Sequence, residues 1–301
     1  MVMNIFTKKN LEKKLGIFHW NIGFIENTFA DILDNSASNP VIHWLKHSYH
    51  DRFFADPFLL EVSEDKIEVL VEEFLYSKWK GTITQLTVSR KDYRLIKRKN
   101  LLESDTHLSF PYIYKENNET YVIPENSQSG TLLIYRYDKA TQTMEYIREL
   151  IHAPIVDPVI FKSGTTYYLI CTSLEFDEDK ALLLYHSDNL FGPYQPFTQN
   201  PVKLDITSAR PGGGVHTVND KLYRCAQNSE NSYGASLAIC HIRSIGKNIF
   251  QEETALRMLP DSVYKHGLHT LDYKEGICVV DGLNYLFKPV LKMKRKLKAF
   301  K

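Results

Sequence analysis

The chain has 301 residues, 43% apolar, 24% charged and 12% aromatic, which supplies a sizeable core and none of the bias of a disordered or fibrous protein. The 37 Lys and Arg stand against 36 Asp and Glu, a net charge of +1, so no global field selects nucleic acid as a partner. No apolar run reaches the length of a membrane span.

The N-terminal lysines have no apolar run behind them, so the segment does not read as a secretory signal, and a cytoplasmic location is expected. Cys171, Cys225, Cys240 and Cys278 make no C-x-x-C pair and fall in apolar strand-like runs, the pattern of reduced, buried thiols. The first strand-like segment, "KKLGIFHWNIGFIEN", is placed at about 15–27, and a connector follows over 28–52. In that connector "HWLKHSYH" sets His43, His47 and His50 at i, i+4 and i+7, one face of a helix if the segment is helical. Such spacing suits zinc only with an acidic or cysteine partner, which the stretch lacks, so contact with substrate at a channel rim is expected instead. Neither a metal nor a cofactor is called for.

From residue 53 onward the chain repeats itself. "FFADPFLLE", "HLSFPYIYK", "PIVDPVIFK", "SARPGGGVH" and "HGLHTLDYK" share one plan. The first four set Pro behind Asp56, Phe110, Asp157 and Arg210, and the fifth is degenerate, with Thr270 behind His269. Each start leads through a turn into a second apolar strand, and four lead on to a third. Short β-branched and aromatic strands recurring about every fifty residues are the signature of a propeller. The expected fold is therefore all-β, a five-bladed β-propeller in one domain, with blades starting near 53, 108, 155, 208 and 266. The N-terminal strand is expected to complete the short last blade. A basic tail over 288–301, with Lys and Arg interleaved with Leu, Met and Phe, is suited to weak contact with an anionic membrane.

The first strand of each blade lines the central channel, so equivalent positions converge there. Asp56 and Asp157 then face a shared polar space with Arg210 and His269. His107 opens the second repeat beside it. Aligning the second strands adds Glu73, Glu125, Cys171, Gln227 and Asp281. Two aspartates and Glu125 around one channel suit chemistry at an anomeric carbon, one carboxylate as base and another as acid with its pKa raised by like-charged neighbours.

The repeat pattern resembles the glycoside hydrolase family 43 superfamily. "WNIGFIE", "NPVIHW", "FFADPFLLE", "SFPYIYKENNETYVIPENSQSGTLLIYRY" and "LFGPYQPFTQNPVK" resemble more closely the N-terminal propeller of glucosamine inositolphosphorylceramide transferases and its bacterial homologues from surface-polysaccharide clusters. The hydrolase likeness implies an aspartate base at Asp56 and an aspartate modulator at Asp157. That superfamily carries its acid glutamate at the head of the fourth blade, where this chain has Arg210. Arginine cannot deliver a proton at neutral pH but binds phosphate or carboxylate bidentately. Beside it, Gly212 to Gly214 permit close backbone approach and His216 adds a donor. The expected function is glycosyl transfer in surface-glycan biosynthesis from a phosphate-activated sugar donor. Asp56, Asp157 and Glu125 are the catalytic candidates, and Arg210, His216, His269, Gln227, Glu73 and His107 the substrate-binding ones. An inverting glycoside hydrolase and a non-catalytic glycan-binding module are the alternatives.

Overall fold

The computed structural model describes residues 16–34 and 40–288. The basic tail beyond Lys288 and the segment before Gly16 lie outside the described residues. Among the described residues there is one α-helix, α1 (Phe29–Leu33). It is started by Thr28, whose hydroxyl accepts from Asp31 N while Asp31 Oδ2 accepts from Thr28 N. No helix among these residues is long and apolar enough to cross a membrane. His43, His47 and His50 share no helix: β2 (His43–Trp44) pairs with β1 (Ile17–Ile25), and the chain from Leu45 to His50 runs on outside any helix.

Three separate antiparallel sheets follow in chain order. The first is β3 (Arg52–Val62), β4 (Lys66–Leu75), β5 (Lys80–Ser89) and β6 (Leu95–Leu102). The second is β7 (Ser109–Glu116), β8 (Glu119–Glu125), β9 (Leu132–Asp138) and β10 (Thr143–Ile151). The third is β11 (Ile155–Ser163), β12 (Thr166–Ser173) and β13 (Ala181–Ser187), edged by the short β14 (Gln195–Pro196) and β15 (Lys203–Leu204).

The remaining strands form one eight-stranded sheet. Its halves are β16 (Pro211–Val218), β17 (Lys221–Asn228), β18 (Ser236–Gly246) and β19 (Ile249–Met258), and then β20 (Leu271–Lys274) and β21 (Ile277–Leu286) with β1 and β2. A single parallel bridge, Gly213 to Leu271, joins the halves. β1 runs antiparallel along β21 from Ile17 opposite Leu286 to Ile25 opposite Cys278.

The repeated X-Pro step has a structural counterpart. Asp56, Phe110 and Asp157 all adopt left-handed backbone, with φ of 49°, 43° and 48°. The ladder slips at the same places, between Ala55 and Phe58, Ser109 and Tyr112, and Val156 and Val159. Proline has no N–H for the ladder, so each step is a β-bulge that turns the preceding residue out of the sheet. A left-handed non-glycine residue costs on the order of 1–3 kcal/mol. Neighbouring sheets hold these bulges in place through shared apolar clusters. Leu70 and Val122 share one cluster, Phe110 and Ile155 another, Ile170 and Ile242 a third, and Val279 and Val69 a fourth, while Ile239 and Val280 join the two halves of the eight-stranded sheet.

The fourth repeat solves the same problem with glycine. Its slip falls between Pro211 and Val215, and Gly213 carries φ of 132°. A Cβ on Gly213 would overlap the Leu271 carbonyl, and one on Gly212 would press on the His269 carbonyl. The glycines are thus occupied by the approach of β16 to the segment leading into β20, not by a ligand. Gly213→Ala is expected to cost more than about 3 kcal/mol or to abolish soluble protein. Gly130→Ala, at φ of 75° with open space around it, should cost about 1 kcal/mol. Thermal melts of the two variants check this, and equal shifts would refute it.

Candidate functional site

The bulges free three backbone N–H groups, and each finds a carboxylate. Asp56 N donates to Asp281 Oδ2 at 3.1 Å, Phe110 N to Asp56 Oδ2 at 3.2 Å, and Asp157 N to Glu125 Oε2 at 3.3 Å. These three carboxylates, and that of Asp157, are buried. They form a relay from sheet to sheet, and Asp56 and Asp157 are both links in it and acids facing the shared interior.

Asp157 is the more heavily bonded of the two. Its Oδ2 accepts from Arg210 Nε at 2.7 Å and from Gln227 Nε2 at 2.9 Å. Burial pushes its pKa up to about 7, with Arg210 opposing and Glu125 adding to the rise. Arg210 also reaches Asp179 Oδ1 at 3.3 Å, and its guanidinium lies 5.0 Å from the centre of the Tyr233 ring. Gln227 Oε1 is buried and has no hydrogen-bond partner, an acceptor still available to a ligand. Glu125 is held by Ser127, whose hydroxyl donates to Oε1 at 2.8 Å.

Asp56 belongs to a second group. Its Oδ1 accepts from Thr270 Oγ1 at 3.0 Å and lies 3.7 Å from His269 Nε2. The other ring nitrogen, Nδ1, sits 2.6 Å from Asp281 Oδ2, and Asp281 Oδ1 accepts the backbone N–H of both His269 and Thr270. Trp20 stacks on the imidazole with ring centres 4.0 Å apart. Burial pushes Asp56 up to about 6, with His269 opposing and Asp281 and Asp157 reinforcing. Burial works against a charged His269, but Asp281 outweighs it and the pKa lies above the ordinary value. Asp56, His269 and Asp281 offer ligand-type atoms within 4.8 Å of one another. The bonds just described already use Nδ1 and both Asp281 oxygens, so the trio reads as a proton relay rather than a cation cage.

The structure also brings in Glu72, which the aligned second strands had passed over for Glu73. Glu72 lies opposite Ala55, as Glu125 lies opposite Ser109, so the two glutamates hold matching places. Burial, then Asp56 and Glu125, raise Glu72 well above the usual carboxylate range. Its Oε1 is 3.4 Å from His107 Nε2. Gly81 N donates to His107 Nδ1 at 2.9 Å, which leaves the proton on Nε2, and burial and Lys80 lower that imidazole to about 4. His107 Nε2–H thus faces Glu72 Oε1, and burial with like-charged neighbours disfavours the ionised form of Glu72.

Glu73 points elsewhere. It is buried between Arg52 Nη1 at 2.5 Å, Arg98 Nη1 at 2.6 Å and the Thr84 hydroxyl at 2.6 Å, an ion-pair knot inside the first sheet. Glu73, opposite Phe54, is one step along β4 from Glu72, opposite Ala55, and so faces the other side of the sheet. His216 is not in the group either. It lies 3.6 Å from Asp272, packs on Phe29, and lines a cavity with Tyr112, Lys115 and Lys274. It sits six residues past Arg210 on β16, at a level of the strand that the bulge does not turn inward. Tyr233, like Glu72, was not foreseen, since no repeat carries it.

The three separate sheets and the composite one have a propeller-like fold of the kind found among glycoside hydrolases. The α-L-arabinofuranosidase of Podospora anserina, solved with cellotriose, superposes with a TM-score of 0.57 at 8% identity, covering 80% of this chain and 93% of that one. A family 117 glycoside hydrolase of the marine bacterium Zobellia galactanivorans gives 0.53 at 11% identity, covering 83% and 95%. At such identities the likeness is one of fold alone. Residues 28–267 match the family described as glucosamine inositolphosphorylceramide transferase 1, N-terminal, and the chain belongs to that family. The glucosamine inositolphosphorylceramide transferases 1 of Oryza sativa subsp. japonica and Arabidopsis thaliana are each 26% identical over 224 residues, 72% of this chain. The match spans only 30% and 29% of their length.

The raised pKa of Asp56 has a direct consequence for stability. Between 3.8, its ordinary value, and about 6, the folded chain holds a proton that the unfolded chain has lost. Stability through this group therefore falls as pH rises across that window, by up to about 1.4 kcal/mol per pH unit. Denaturant unfolding from pH 4 to pH 6 should show a flatter profile for Asp56→Asn than for wild type. Parallel profiles would contradict the assignment.

Proposed function

We propose that the chain acts on carbohydrate at an anomeric carbon, by glycosyl transfer, on the axis of a five-bladed ring whose last blade β1 completes. The apolar clusters between successive sheets, and between the last strands and β3, support the ring, as does the full-length pairing of β1 with β21. The observation that carries the chemistry is the set of buried carboxylates whose pKa values are pushed toward neutrality from different environments.

In this reading Asp56 takes the proton of the acceptor hydroxyl as that oxygen bonds to the anomeric carbon. Glu72 gives its proton to the departing glycosidic oxygen as the old bond breaks. Asp157 is fixed by Arg210 and Gln227 and positions the sugar, and Glu125 holds Asp157 in place. Trp20, through His269, and Tyr233 offer aromatic surface at the same place. Arg210 supports an anionic donor less than the sequence implied, because Asp157 and Asp179 already engage it amid several carboxylates. The reacting donor is accordingly proposed as a neutral glycoside. Hydrolysis is the second reading, favoured by the fold shared with glycosidases.

Glycosides with activated and with poor leaving groups, offered with sugar acceptors, test both readings by the products formed. Asp56→Asn should lower kcat by about 10²–10⁴-fold. Glu72→Gln should slow poor leaving groups far more than activated ones, because only the former need a proton. Unchanged turnover in Asp56→Asn, in protein that melts like wild type, would overturn the proposal.

A further inference from the structure

β1 presents two faces. Trp20 goes to the carboxylate site, while its neighbours His19 and Asn21 alternate to the other side and line a cavity of about 560 Å³. The opposite wall comes from the segment Leu45–His50, clamped between sheets by Leu45 N to Ile22 O at 2.9 Å and Lys46 N to Tyr93 O at 2.8 Å. Lys46, His47, His50 and Arg94 complete a basic lining with His19, and no Asp or Glu is among the lining residues.

More positive charge stands behind this wall. The Arg52 guanidinium lies 4.6 Å from the centre of the Tyr49 ring, and Lys288 Nζ bonds to the His50 carbonyl. Of the nearby acids, Asp51 pairs with Arg52, Asp92 with Arg94, and Glu73 with Arg52 and Arg98, while Asp261 accepts from the backbone N–H of Val263 and Tyr264 and from Trp44 Nε1. We propose that this cavity is a binding site for a phosphate group, separate from the carboxylate site and on the far side of β1. The proposal stands independently of the glycosyl-transfer reading.

The histidines behave as such a site requires before it is filled. Burial, then His47, Lys288 and His50, lower His19 to about 4, and burial, His50 and Arg52 lower His47. Burial, reinforced by the surrounding positive charge, keeps protons off these rings, and a bound phosphate dianion would return them. The His19 tautomer suits the role. Tyr76 Oη donates to the Phe18 carbonyl, so it accepts from His19 Nδ1 at 2.9 Å and leaves Nε2 free of its proton.

Thermal stabilisation of the full chain by inorganic phosphate and by a sugar 1-phosphate is the test. The source is separated by flotation with phosphatidylcholine vesicles with and without phosphatidylglycerol. Wild type should be stabilised by phosphate, and more tightly at pH 6 than at pH 8, by about tenfold as the histidines take up protons. The exposed-site variants Lys46→Ala and His50→Gln should lose the response, while Lys78→Ala and Asp56→Asn keep it. A response to the sugar 1-phosphate assigns a soluble ligand, and binding confined to anionic vesicles assigns a lipid headgroup. No response of wild type to any of these probes, or one undiminished in Lys46→Ala and His50→Gln, overturns the proposal.

Discussion

The hydrogen bond between a bulge N–H and the carboxylate of an adjacent sheet is the constraint on which the rest of the structure depends. Each X-Pro step removes a rung from its strand and leaves a buried donor that no ladder can satisfy. An orphaned buried donor costs about 1–3 kcal/mol, and a charged acceptor returns about 1.5–3 kcal/mol. Asp281, Asp56 and Glu125 supply those acceptors to Asp56, Phe110 and Asp157 in turn. Sheets that share only apolar surface could slide past one another. With a carboxylate anchored in the next sheet's bulge, each has one register.

The same arrangement prepares the acids for chemistry. A carboxylate taken out of water resists ionisation, and several taken out together resist it more. Arg210 offsets this for Asp157, and His269 with Thr270 offsets it for Asp56. Neither compensation is complete, which leaves both aspartates titrating near neutrality. Glu72 has neutral His107 beside it, and burial with neighbouring carboxylates raises it well above the usual carboxylate range. The site thus holds groups that differ in readiness to give or take a proton although all are carboxyls. The cost is stability: ionising them in place weakens the fold as pH rises.

β1 relates the two polar regions. Its alternation sends Trp20 to the stacking contact on His269 and His19 to the basic cavity, so one strand lies between the carboxylate cluster and that cavity. The long pairing of β1 with β21 gives this partition its rigidity.

The repeat itself was legible in one sequence, because Pro behind Asp56, Phe110, Asp157 and Arg210 at near-regular intervals is a chemical mark that survives without an alignment. So were the strands, the four buried free cysteines, and the grouping of Asp56, Asp157, Glu125, Arg210, Gln227 and His269. What the residues could not reveal was how the ladder absorbs the proline. Nor could they reveal register: Glu72 and Glu73 are neighbours on β4, opposite Ala55 and Phe54, and that single step sends Glu73 to Arg52 and Arg98 and Glu72 to His107. Likewise the glycines after Arg210 announced a close approach, but only the packing of β16 against Leu271 showed that backbone, not ligand, makes it. His19, His47 and His50 meet across two segments that no local periodicity connects. Sequence determined which chemical groups recur and at what interval. Tertiary structure decided which way each one faces, because facing depends on register, and register is set by bonds to strands distant in the chain.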